Sequence, residues 1–180
     1  MRKLLVSNVM SLDGFFEGSR QEIDWFPRDE EFFLYARRML RSVDTILFGR
    51  KTYEHMAAYW PSAPPDEIAE KMNGLAKIVF SSSMTTAAWH NSTLVSGDAA
   101  QEVARLKQSP GGDMVILGSA KLASSLLRAG LIDEYRVILS PIILGSGTPL
   151  FADIREKLPL SLHEIERLSS GVLVLYYWPT

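Results

Sequence analysis

Two stretches of this chain run an apolar strand straight into a glycine and then into a helix, an order that points to an open α/β sheet. In the first, Thr45-Ile-Leu-Phe48 is β-branched or bulky and reads as a short buried strand, while Lys51 to Tyr59 carries helix formers. Gly49 therefore stands at the strand-to-helix turn. In the second, Met114-Val-Ile-Leu117 is the strand, Gly118-Ser119 the turn, and Ala120 to Ala129 a helix whose Leu122, Leu126 and Leu127 form an apolar stripe. Ser119 is the predicted N-cap and Gly130 the C-terminal stop. At such junctions unpaired N–H groups and the helix dipole face the sheet edge and attract an anion. Arg50, Lys51 and Thr52 add two charges and a hydroxyl at the first of them, which suits a phosphate. A solvated helix start with both cations in water is the competing reading.

Two better-known phosphate motifs are excluded. A P-loop puts lysine directly after its last glycine and another glycine upstream, whereas Arg50 follows Gly49 and Asp44 occupies the upstream place. Gly145-Ser-Gly147 runs into Thr148 and Pro149, so the third glycine of a dinucleotide fingerprint is missing and proline interrupts the helix. The absence of cysteine removes disulfides, thiolate metal sites and a cysteine nucleophile, and His55, His90 and His163 lie far apart in unlike contexts, so no metal site is expected. A net charge of −2 with scattered basic residues argues against nucleic acid. No run approaches the roughly 18 apolar residues of a membrane span, and Met1-Arg-Lys-Leu-Leu-Val lacks a signal-peptide pattern, so a cytoplasmic protein with no membrane partner is expected. At 180 residues the chain is read as one domain, 1–180.

The remaining elements follow from periodicity. Leu4 to Val9 is an opening strand ending at the Ser11-Leu-Asp-Gly14 turn, and Arg28 to Val43 an amphipathic helix with Arg37, Arg38 and Arg41 on a solvated face. After Pro61-Ser-Ala-Pro-Pro65 come a short helix, Asp66 to Met72, and a strand, Lys77 to Phe80, that runs into Ser81-Ser-Ser83. Thr93 to Val95 is a strand, Asp98 caps a helix through about Lys107, and Glu134 to Ser140 is a further strand. Leu160 to Leu168 and Gly171 to Trp178 read as a hairpin. Alternation first and strands alone last predict a mostly parallel sheet finished by an antiparallel edge. The apolar final strand, Val172 to Trp178, needs cover, which predicts a homodimer.

Gly49-Arg-Lys-Thr52, Ser81-Ser82 and Gly118-Ser-Ala-Lys121, in that order, resemble the dihydrofolate reductase fold. Asn8-Val-Met-Ser-Leu-Asp-Gly14, Gly130-Leu-Ile-Asp-Glu-Tyr135 and Pro141-Ile-Ile-Leu-Gly-Ser-Gly-Thr-Pro-Leu-Phe151 narrow the resemblance. They look like the C-terminal reductase domain of the riboflavin-biosynthesis bifunctional deaminase-reductase and its stand-alone relatives. The resemblance implies a three-layer α/β/α fold and NADPH as cofactor. It places Arg50 and Ser82, with Ser81, at the 2′-phosphate, and Gly49, Lys51, Thr52, Gly118, Ser119, Ala120, Lys121 and Leu122 around the pyrophosphate. The Val9 backbone would recognise the nicotinamide carboxamide, with Phe16, Leu144 and Gly145 bordering the ring.

The same resemblance implies a reductase acting on a small heterocycle, either a 5-amino-6-(5-phosphoribosylamino)uracil-like pyrimidine or a pterin. A deaminase half is missing, since the chain has neither its cysteines nor its His-x-Glu motif. Asp13, Trp25, Tyr53 and Trp60 are the substrate-side candidates; the three aromatics read equally well as packing. Asp29 or an ordered water is the candidate proton donor, and for Asp29 the plainer reading is an acidic first turn that complements the helix dipole. Hydride transfer needs alignment rather than a nucleophile, so the lack of a triad is no objection. A non-catalytic NADPH-binding dimer, a sensor or store of cofactor, is the alternative.

Overall fold

The computed structural model describes all 180 residues. Its strands are β1 (Leu4–Ser11), β2 (Phe15–Glu17), β3 (Val43–Gly49), β4 (Ala76–Phe80), β5 (Ser92–Val95), β6 (Asp113–Leu117), β7 (Glu134–Ser140), β8 (Thr148–Pro149), β9 (Leu160–Arg167) and β10 (Leu173–Pro179). The helices are α1 (Glu30–Arg41), α2 (Arg50–Tyr59), α3 (Glu67–Gly74), α4 (Ala99–Gln108) and α5 (Ala120–Arg128). None is long and apolar enough to cross a membrane.

Eight strands form one sheet in the order β5-β4-β3-β6-β1-β7-β10-β9, parallel from β5 to β7 and antiparallel where β10 pairs with β7 and β9. Strand alternation splits the core into two layers. Leu4, Val6, Leu47, Ile116 and Val137 pack with Val103 of α4 and Leu122, Ala123 and Leu126 of α5. Leu5, Ile46, Phe48, Val115 and Ile138 face the other way, against Tyr35 and Met39 of α1, Tyr53 of α2 and Ile68 and Met72 of α3. This is the three-layer α/β/α arrangement with an antiparallel C-terminal hairpin.

Four details differ from the sequence reading. Val43 begins β3 rather than ending α1, because Ser42 closes the helix by donating its hydroxyl to Met39 O and Val43 then pairs with Asp113. The arginines of α1 are not simply solvated: Arg37 pairs with Glu30, Arg38 with both oxygens of Glu166, and Arg41 with Glu67, which ties α1 to β9 and α3. The final strand is no edge, since β10 is held on both sides; the edge is β9, where Leu162 and Ile165 are about half exposed. The short pair β2 and β8 has no sequence signature and joins Phe15 to Pro149 and Glu17 to Thr148.

Lys77 shows how the amino edge is held. Its ammonium is buried, lies 4.5 Å from the Trp89 ring centroid, and donates to Met72 O at 2.9 Å, Asn73 O at 3.0 Å and Leu75 O at 2.7 Å, closing the C-terminal end of α3. Burial pushes its pKa from 10.5 to about 8. Between those values the unfolded chain binds more protons than the folded one, so this residue makes stability rise with pH across that window. Urea unfolding at pH 7, 8.5 and 10 should show the rise in the native chain and none from this source in Lys77→Met. A native pH profile identical to that of the variant would reject the account.

Candidate functional site

Strands β3 and β6 are neighbours and parallel, so their carboxyl ends release the chain on the same edge, with Leu47 paired to Ile116 just before both turns. The turns are joined by two hydrogen bonds: Gly49 N–H donates to Ser119 Oγ at 3.0 Å, and Ser119 N–H donates to Thr52 Oγ1 at 3.1 Å. Each hydroxyl serves the opposite turn. Ser119 stands at the predicted N-cap position of α5, its carbonyl accepting from Ala123 N–H at 3.0 Å, but the side-chain cap expected of it is corrected: its backbone is left-handed, with φ 49°, and its hydroxyl does not bond the first turn of α5. Gly49 likewise supplies no side-chain cap to α2. Two helix N-termini thus open side by side, their first-turn N–H groups uncapped by side chains, which is an anion-binding arrangement.

Gly118 makes the close approach feasible. Its φ is +64°, and a Cβ there would sit 3.1 Å from Thr52 Cγ2. Ala120 and Leu122 are buried against the sheet, whereas Lys121 is exposed at the mouth of the turn.

Next to these turns, β1 outruns β6. Pairing of β1 with β6 ends at Ser7 and Leu117, while β1 continues along β7 to Ser11. Gly118 N–H reaches Ser7 O at 3.4 Å, and Asp133 N–H reaches Leu4 O on the other side, so odd-numbered residues of β1 direct their peptide groups toward β6. Val9 N–H and C=O therefore point to the side where β6 has already turned away.

The loops that follow β1 and β7 are fastened together by Asp13. Ser11 Oγ donates to its carboxylate at 2.7 Å, Leu144 N–H at 3.1 Å and Gly145 N–H at 2.8 Å. The Ser11 hydroxyl above all, helped by these loop amides, holds its pKa below the usual carboxylate range. Asp13 thus positions the Leu144-Gly145 loop, a role the substrate-side expectation did not include, while its carboxylate stays exposed. Phe16 lies on β2 and packs, half-buried, against the core on the α5 side.

The other substrate-side candidates separate. Tyr53 is buried among Phe48 and Trp89, and its hydroxyl accepts from Trp89 N–H at 2.9 Å, so it is a core residue. Trp60 follows the last residue of α2, about 15 Å of helix from the Gly49 turn. Its carbonyl accepts from Asn73 near the start of β4, which puts it at the opposite edge of the sheet. Trp25 remains at the carboxyl edge, half-buried in the loop before α1, its indole N–H donating to Glu22 O at 3.1 Å.

Asp29 is the N-cap of α1 and accepts from Phe32 N–H at 2.8 Å. That bond first, and then the nearby Ser170 hydroxyl, lowers its pKa. An acid held ionised is a poor proton donor, so the plainer reading, an acidic helix start, prevails.

At the outer end of the edge, Gly49 is in register with Phe80, which brings the serine loop beside α2. Ser81 Oγ accepts from Ser83 N–H at 3.2 Å and Met84 N–H at 3.1 Å and so shapes the loop, while Ser82 is exposed at its tip. An open cavity of about 550 Å³ is lined by Arg50, Glu54, Ser83, Met84, Thr85 and Thr86. Sequence reasoning missed Glu54, Thr85 and Thr86; the only available signal was the spacing of Arg50 and Glu54, one helical turn apart. It also missed Asn8, which is buried, donates to Tyr135 Oη at 3.0 Å and leaves Oδ1 without a partner, and Ser140, buried at the end of β7 with its hydroxyl unpaired.

The model of the family described as the RibD C-terminal domain matches residues 2–174. The uncharacterized protein YyaP of Bacillus subtilis (strain 168) is 32% identical over 182 residues, covering 98% of this chain and 95% of that one. The uncharacterized protein YwjB of the same organism is 30% identical over 176 residues, covering 97% of each. Among solved structures, a putative riboflavin biosynthesis protein from Shewanella sp. PV-4 superposes with a TM-score of 0.79 at 22% identity over 99% of both chains. A diaminohydroxyphosphoribosylaminopyrimidine deaminase/5-amino-6-(5-phosphoribosylamino)uracil reductase from Thermotoga maritima gives 0.68 at 15% identity, over 99% of this chain and 57% of that one. At such identities the structural likeness speaks to the fold.

Proposed function

We propose, from the premise that this chain belongs to the RibD C-terminal domain family, that it is an NADPH-dependent reductase acting on a small heterocycle of the ribosylamino-pyrimidine or pterin class. The observation that carries this reading is the pair of glycine turns at Gly49 and Gly118, hydrogen-bonded to each other and opening two helices whose first turns have no side-chain cap.

The residues fit that cofactor. Gly49, Lys51 and Thr52 on α2 and Gly118 to Leu122 on α5 would hold the pyrophosphate, and Arg50 with Ser82 and the Ser81-shaped loop would meet the 2′-phosphate. The nicotinamide supplies the hydride. The peptide of Val9, facing the gap beside β6, would orient the carboxamide; Phe16, Leu144 and Gly145 would exclude water from the ring, with Asp13 keeping that loop in place. Trp25 would border the substrate. With the Asp29 carboxylate ionised as a helix cap, the proton comes from water. The T. maritima protein is named as a 5-amino-6-(5-phosphoribosylamino)uracil reductase, which makes a phosphoribosylaminopyrimidine the first acceptor to try.

The test is to titrate the protein with NADPH and then follow loss of its absorbance with a panel of ribosylamino-pyrimidine and pterin acceptors. Acceptor-dependent oxidation is expected. Tight binding without oxidation of any acceptor would favour the cofactor-holding dimer, and no binding would reject both. That dimer reading draws its support from the exposed apolar side chains on the β9 edge, Leu162 and Ile165, and from Trp178 beside them.

A further inference from the structure

Arg50 does not stand alone in its cavity. Its guanidinium donates to both oxygens of Glu54, at 3.2 and 3.3 Å, and both side chains line the same polar opening as the hydroxyl-bearing Ser83, Thr85 and Thr86. Taken only as an exposed pair one helical turn apart, Arg50 and Glu54 add little to stability. Their shared place in the cavity is the more informative fact. One cation and one anion line it, so the lining sums to zero charge, whereas a pocket built for a phosphate monoester alone would be cationic.

Glu54 and Arg50 ask for different ligand groups. An ionised carboxylate is an acceptor with two oxygens and no proton to give. It therefore complements the O–H donors of a ribose 2′,3′-diol, and it repels a 2′-phosphate carrying about −1.5 to −2 charge. Arg50 has the opposite preference. A phosphate entering the cavity must draw the guanidinium away from Glu54 while approaching that same carboxylate.

We propose that Glu54 is a specificity-determining residue that narrows the choice between phosphorylated and unphosphorylated nicotinamide dinucleotides, so that the site takes NADH as well as NADPH. This rests on the cofactor reading given above. The carboxylate competes with the 2′-phosphate for Arg50 and accepts a hydrogen bond from a 2′-hydroxyl in its place.

The test uses the full chain and Glu54→Gln, each titrated with NADPH and with NADH by quenching of intrinsic tryptophan fluorescence at low salt. Glutamine keeps the length and helix propensity of glutamate and removes the charge. The ratio of the NADH to the NADPH dissociation constant should rise about tenfold in Glu54→Gln and further in Glu54→Lys, and the rise should shrink in high salt. A ratio that moves by less than twofold in both variants, or toward NADH, overturns the inference while leaving the cofactor site standing. A native chain that binds neither nucleotide overturns the cofactor reading itself, and the proposal with it.

Discussion

Gly118→Ala is expected to cost the protein both stability and cofactor affinity. A left-handed residue with a side chain costs about 1–2 kcal/mol relative to glycine, and the backbone at 118 is held at φ +64°. The new methyl would also press on Thr52, whose hydroxyl accepts one of the two bonds that join the turns. For a chain of this length a loss of that size lowers the midpoint of thermal unfolding by roughly 2–8 °C. Affinity should fall by more than the stability change alone explains, because separating the turns moves the two sets of first-turn N–H groups that the proposed cofactor reading assigns to one pyrophosphate. Thermal unfolding gives the first quantity and nucleotide titration the second. Native affinity in a destabilised variant would mean that the Gly118 turn shapes the fold and holds no phosphate.

The reason that this pair of turns was legible from sequence is local. Each rests on a continuous apolar run, which a strand buried on both faces requires, followed by a glycine and helix formers. The Asp98 cap was legible for a similar reason: its carboxylate accepts from Ala100 and Gln101 N–H, groups within its own turn. Gly130 followed the same logic, with φ +66° and Leu131 N–H returning to Leu126 O. The place of Ser119 at the start of α5 was legible, but the partner of its hydroxyl was not. A serine before a helix normally caps it, but here the partner is Gly49, brought alongside only when β3 pairs with β6.

The substrate side was read less well because an aromatic residue near a motif looks the same in sequence whether it lines a site or fills a core. Tyr53 needed its partner, Trp89, to be seen as core. Trp60 was decidable in principle, since a helix that leaves the carboxyl edge of a parallel sheet ends near the opposite edge. Asp13 reads in the sequence only as a substrate-side residue. Its amide partners lie in a loop more than a hundred residues away, and no local pattern announces them. The β2–β8 pair and the neutral lining of the Arg50 cavity belong to the same class of contacts made only by the folded chain.

Arg50→Ala should divide the two nicotinamide cofactors. A charge-assisted contact between a guanidinium and a phosphate is worth about 1.5–3 kcal/mol, roughly a ten- to hundredfold change in NADPH affinity. NADH lacks the 2′-phosphate and should lose less than about threefold, the share left to weaker contacts of an exposed side chain. Glu54 makes the loss for NADPH larger than the contact alone, because the variant keeps the carboxylate in the cavity after removing the cation that offsets it. Arg50→Ala combined with Glu54→Gln should therefore recover part of the NADPH affinity, a coupling that a double-mutant cycle isolates. Fluorescence titration of the four proteins with both nucleotides decides the matter. Equal losses for NADPH and NADH in Arg50→Ala would remove the 2′-phosphate from this cavity, and additive effects in the double variant would separate Glu54 from Arg50.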